Sequence, residues 1–201
     1  MKARALALAG AWEFTPAQHE DDRGVFLEWY KAAEVAAVVG HPLDLVQANH
    51  SVSRRGTLRG LHFADVPPGQ AKYVYCVRGA VLDVVADIRV GSPTFGQVDV
   101  VRLDDVDRRA VYVAEGLGHG FLSLADGSAV TYLCSTGYEP SREHGLHPLD
   151  PELGLPWPAD VPRLLSPKDA AAPTLAAARA AGMLPDYRAC RDYYASLDTA
   201  R

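Results

Sequence analysis

The chain has 201 residues, 48% of them apolar and 22% charged, enough to bury a substantial core in one domain or in one domain with an appendage. Its net charge of -5 argues against wrapping nucleic acid or lying on an anionic membrane. No stretch approaches the length of a transmembrane helix, and the apolar run after Lys2 and Arg4 is too short for a signal peptide. Cys76, Cys134 and Cys190 are an odd set without metal-type spacing, which reads as the reduced thiols of a cytosolic protein.

In chain order, residues from about 11 to 138 read as strands and turns. Residues 34–39 predict a short helix, ended by Gly40 and Pro42. In Gln-Ala-Asn-His-Ser, Gln47, Asn49 and Ser51 share one strand face, which fits either solvent or a polar cavity. Lys72 shares its face with Val74 and Cys76, and Tyr132 shares its face with Val130 and Cys134. If both strands belong to one barrel, Lys72 and Tyr132 point into the same interior. The plainer alternatives are a lysine at the rim with its ammonium in water and a tyrosine packed as a core ring. Leu82, Val84, Ala86 and Ile88 alternate with Asp83, Val85, Asp87 and Arg89, a period of two. Further strands are expected at 98–103, 110–113, 121–124 and 129–134, with the Gly-rich Glu-Gly-Leu-Gly-His-Gly-Phe as a turn before the third of these. Many short strands between Gly/Pro turns predict a sandwich or barrel. After Glu139 a Pro-rich stretch is expected to wrap the body in extended form. A helix is expected at about 173–181, with Pro173 in its first turn and Gly182 as its stop, and a second short one near 190–197.

His62, in Arg-Gly-Thr-Leu-Arg-Gly-Leu-His-Phe, admits three readings: metal ligand, core histidine or general base. A His-x-His metal motif fails here, because Ala64 holds the second position and the next acid is Asp65. His119 is a candidate second ligand, but two histidines without a third close donor make a poor transition-metal site.

Five segments in order carry a resemblance: LRGLHF, AKYVYCVRGAVLDVVADIRVGSPTFGQ, EGLGHGFLSL, DPELGLPWP and LSPKD. Over residues 14–173 the chain resembles the dTDP-4-dehydrorhamnose 3,5-epimerase family, and within it the branch found in antibiotic deoxysugar pathways. The resemblance implies an all-β, cupin-type jelly roll with short C-terminal helices, a single domain over 1–201 of which about 139–201 is wrapping segment and helices. It implies a homodimer without metal or cofactor, acting on a dTDP-linked 4-keto-6-deoxysugar. His62 then matches the base that removes a proton beside the ketone, and Asp169 the carboxylate that orients it. Asp169 read alone is equally a helix N-terminal residue. Lys72 matches the ammonium that stabilises the enolate oxygen, and Tyr132 the acid that returns a proton from the opposite face. Arg23 and Arg59 match diphosphate-binding arginines, which read alone are surface charge. Gln47 and Asn49 match cavity-lining residues near the nucleotide. Phe26 and Glu28 match positions beside it, some of them reaching it from the partner subunit. Tyr138 matches an aromatic on the base, and His119 a substrate-site histidine; separately from the resemblance, Asp83 is expected to face His119 inside the barrel. Glu143 and Lys168 complete the expected substrate contacts.

The chemistry is coherent. A C–H beside a ketone loses its proton only if the resulting oxyanion is stabilised, and a preorganised cation away from water does that. Inversion needs a second proton source on the other ring face. Rival readings are a keto-isomerase, which needs no opposite-face acid, and a non-catalytic sugar-nucleotide-binding cupin, which needs neither His62 nor Asp169. Strict alternation sets Arg59 and His62 on opposite faces; a bulge at Gly60 would reconcile them.

Overall fold

Two antiparallel sheets face each other across a core of alternating inward side chains. The computed structural model describes residues 1–199. In chain order the strands and helices are β1 (Lys2–Ala5), β2 (Ala11–Thr15), β3 (Gln18–Asp21), β4 (Gly24–Leu27), α1 (Ala32–Val39), β5 (Gln47–Ser53), β6 (Leu58–Ala64), β7 (Lys72–Arg78), β8 (Ala80–Ala86), β9 (Val98–Asp104), β10 (Ala110–Val113), β11 (Gly118–Ser123), β12 (Ser128–Cys134), β13 (Glu143–Gly145), α2 (Pro167–Ala170), α3 (Leu175–Ala180) and α4 (Tyr187–Thr199). One sheet runs β1-β2-β10-β7-β12-β5, and the other β13-β6-β11-β8-β9. Neighbours in space are often distant in sequence, the mark of the jelly roll. The hairpin of β3 and β4 pairs only with itself, and most of it is exposed.

Side-chain alternation explains the core. Val74, Cys76, Val111, Val113 and Val130 of the first sheet meet Val81, Val85, Val101, Leu103 and Phe121 of the second in one buried cluster. The outer face of the second sheet buries Leu61, Phe63, Val84 and Ala86 under Leu146, Leu153 and Leu175. The Pro-rich segment therefore serves as a cover. Turns at 148–149, 151–154 and 159–160 interrupt the extended wrap expected from its prolines. Both faces of β8 are covered, so Asp83 is buried along with its apolar neighbours.

Several boundaries differ from the sequence reading. The Gly-rich segment is not a turn throughout: Gly118, His119 and Gly120 already belong to β11, where Gly120 lets the β6 backbone approach closely. Pro173 lies outside α3, whose cap is Thr174 accepting from the Ala177 N–H. Gly182, with φ +66°, follows the helix as expected. The last helix is longer than expected, 13 residues. Residues 200–201, the end of the expected C-terminal region, lie outside the described residues.

Candidate active site

The site lies at one end of the space between the sheets, in a cavity of about 310 Å³. From the first sheet, β5 contributes Gln47, Asn49 and Ser51, β7 contributes Lys72, and β12 contributes Tyr132. Asn49 lies directly opposite Tyr132 in the β5–β12 ladder, and Lys72 opposite Cys134 in the β7–β12 ladder. Period-two geometry thus delivers all five polar side chains to one face.

From the second sheet come Arg59, His62 and His119. His62 and His119 are cross-strand partners, and so are Arg59 and Phe121. Between these two pairings β6 advances three residues while β11 advances two, so Gly60 and Leu61 face Gly120 alone. This bulge is what keeps Arg59 and His62 on the same side while Leu58, Leu61 and Phe63 are buried. Only glycine fits it. Gly60 has φ +117°, and a Cβ there would lie 2.6 Å from Gly120 Cα and 2.7 Å from the His119 carbonyl.

The segment before α3 closes the cavity. Asp169 belongs to the four-residue α2, capped by Ser166. Its Oδ1 lies 2.7 Å from His62 Nε2. A carboxylate only accepts, so Nε2 carries the hydrogen and Nδ1 keeps the lone pair that can take a proton. Burial opposes ionisation of Asp169, but His62, the Ser166 hydroxyl and Lys168 outweigh it and hold the carboxyl below its ordinary range. His119 Nε2 lies 2.9 Å from Asp83 Oδ2, so the expected pairing forms inside the protein.

Electrostatics separate the two groups facing the dyad. Burial pulls the Lys72 ammonium below the ordinary lysine value, against the opposing pull of Cys134, Glu143 and Asp83. No ion pair among the described residues compensates that charge. Burial pushes the Tyr132 phenol upward, helped by Cys134 and Glu143 and opposed by Arg59, so it keeps its proton at neutral pH.

Tyr138, Glu143 and Lys168 also line the cavity, and the Tyr138 N–H donates to Gln47 Oε1 at 2.9 Å. Arg23, Phe26 and Glu28 are not in this chain's own cavity. Arg23 is exposed and paired with Asp21, Phe26 is 67% exposed, and Glu28 pairs with Lys31. Five lining residues escaped the sequence-based site: Ser51, Gln70, Gly120, Phe121 and Ser166. Ser51 was visible by its shared face with Asn49, and its buried hydroxyl has no hydrogen-bond partner among the described residues. Ser166 was visible only as a capping signal before Asp169. Among the described residues no group of three or more metal-ligating side chains forms.

The family model described as dTDP-4-dehydrorhamnose 3,5-epimerase matches residues 5–177. A dTDP-4-dehydrorhamnose 3-epimerase of Streptomyces niveus is 59% identical, over 95% of this chain and 92% of its own. A dTDP-4-dehydrorhamnose 3,5-epimerase of Mycolicibacterium smegmatis is also 59% identical, over 98% and 97%. The crystal structure of a 3'-monoepimerase from Streptomyces bikiniensis in complex with dTDP-quinovose superposes with TM-score 0.94 at 49% identity, covering 96% of this chain and 98% of that one. With these matches spanning nearly the full length of each protein, the chain belongs to the dTDP-4-dehydrorhamnose 3,5-epimerase family.

Proposed function

We propose that this protein inverts C5, C3 or both of a dTDP-4-keto-6-deoxyhexose, as a cytoplasmic isomerase of deoxysugar biosynthesis. The observation that carries the reading is one cavity lined by a His62–Asp169 pair, a buried ammonium at Lys72 and a protonated phenol at Tyr132. His62 Nδ1 takes the proton beside the ketone, and Asp169 stabilises the imidazolium. Lys72 faces the ketone oxygen. Its buried charge has no ion-pair partner among the described residues, so the enolate supplies one as it forms. Tyr132 returns a proton to the other face, and water later restores both groups. Arg59 takes the diphosphate, for which a guanidinium fork suits better than an ammonium. Gln47, Asn49 and Tyr138 receive the nucleoside.

The protein acts as a homodimer in this reading. β5 is a sheet edge whose outer face exposes Ala48, His50 and Val52, and Val46 beside it is 62% exposed. The self-paired hairpin carrying Arg23 and Phe26 projects these side chains away from their own cavity. A partner's cavity is where their expected contacts with the nucleotide and diphosphate are made. Incubation with dTDP-4-keto-6-deoxyglucose in deuterated water tests the function. Deuterium is expected at C3, C5 or both, with the ketone still at C4. Migration of the ketone would favour the keto-isomerase, and absence of exchange the non-catalytic binder.

A further inference from the structure

We infer that Ser166 is a positioning residue for the reaction, acting through Asp169 on the His62 base. The inference rests on the epimerase reading and concerns a residue without an assigned part in it. Ser166 Oγ lies 2.8 Å from Asp169 Oδ2 and accepts the Asp169 backbone N–H at 3.0 Å. Asp169 Oδ1 meets His62 Nε2 at 2.7 Å. Each carboxylate oxygen therefore has its own donor, one imidazole and one hydroxyl.

This arrangement solves a specific problem. The terminal torsion of an aspartate is broad and roughly two-fold, so a single hydrogen bond leaves the carboxylate plane free to swing. A donor on each oxygen fixes that plane, and the cap on the backbone N–H fixes the residue that carries it. The plane in turn sets the direction of the His62 ring and hence of the Nδ1 lone pair. Ser166 lines the cavity, yet it has one hydrogen to give and that hydrogen is on Oδ2. It has no donor left for the substrate. Its loss should therefore slow turnover without weakening binding.

Three variants separate the hydroxyl from the helix cap. Glycine is nearly as good a cap as serine, whereas alanine is a poor one, and neither has a hydroxyl. Threonine keeps both functions, and the extended backbone of Ser166 accepts it. The inference predicts that Ser166→Gly and Ser166→Ala both lose kcat, about tenfold, with KM within about twofold of wild type. Ser166→Thr should recover most of the loss. The hydroxyl also helps to keep Asp169 ionised, so in both deficient variants the acid limb of kcat/KM should move to higher pH. Carbon-13 NMR titration of the Asp169 carboxyl, which needs no turnover, should show the same upward movement. Wild-type kcat in Ser166→Gly with an unmoved carboxyl titration would overturn the inference. So would a loss in Ser166→Ala alone that tracked its melting temperature. A wild-type enzyme that exchanged no deuterium would instead overturn the epimerase reading, and the carboxyl titration would still decide whether Ser166 holds Asp169.

Discussion

Lys72 sits where a lysine is least comfortable, buried beside Val74 at the start of the central strand β7, on its inward face. Its cost in the free protein and its use in the reaction have one cause. A desolvated ammonium without a counter-ion destabilises the fold and meets a developing enolate with little reorganisation. Lys72→Met should therefore lower kcat/KM by about a thousandfold and raise the melting temperature by about 3 °C. Kinetics and thermal unfolding on one preparation check both signs together. A melting temperature that fell would mean that the ammonium is already compensated. The sequence set Lys72 and Tyr132 on faces shared with apolar neighbours, and left open whether those faces turn into one interior. The pairing of His62 with Asp169, 107 residues apart, came from the family resemblance and not from any local pattern, because the two meet only through the folded cover.

At the scale of elements, the bulge in β6 decides which side chains the site contains. The sequence reading met the difficulty directly: Arg59 and His62 are three apart, so a regular strand would turn one of them outward. Gly60 and Gly120 resolve it by backbone approach. A Cβ on Gly120 would lie 2.7 Å from the Arg59 carbonyl, so neither glycine has room for a side chain. Gly60→Ala should misdirect one of the pair and lower kcat/KM by about a hundredfold, the order of loss that follows from a misplacement near 1 Å. A soluble Gly60→Ala protein with wild-type kinetics would remove the bulge from the account. Pattern reading did less well where conformation depends on distant packing. It assigned a turn to Gly118–Gly120, which are strand because β6 and β8 flank them, and an extended path to a Pro-rich cover that turns repeatedly. The hairpin of β3 and β4 gave no amphipathic signal, and it buries almost nothing within this chain.

The whole molecule adds two expectations. Glu115 is buried, one carboxylate oxygen has no hydrogen-bond partner among the described residues, and burial pushes its carboxyl up to about 7. The native state therefore holds this proton where the unfolded chain has released it. The contribution of Glu115 to stability is full below its ordinary value of 4.5 and is lost as pH rises to about 7. Glu115→Gln should raise the melting temperature at pH 8 by about 5 °C relative to its effect at pH 5. Equal effects at both pH values would mean that Glu115 is ionised throughout. The second expectation concerns assembly. If the exposed Phe26 completes a partner's site, Phe26→Ala should raise KM with little change in kcat. Mixing Phe26→Ala with His62→Ala subunits should then yield dimers with one intact site and, at substrate well below KM, activity above that of either parent. No gain on mixing would assign Phe26 to its own subunit or to neither site.

The most direct test concerns the two faces of the enolate. In deuterated water, with dTDP-4-keto-6-deoxyglucose followed by NMR, Tyr132→Phe should exchange the hydrogen beside the ketone while the carbon keeps its configuration. His62→Ala should exchange nothing. Inversion by Tyr132→Phe at the wild-type rate, or exchange by His62→Ala at the wild-type rate, would contradict a base at His62 opposed by an acid at Tyr132.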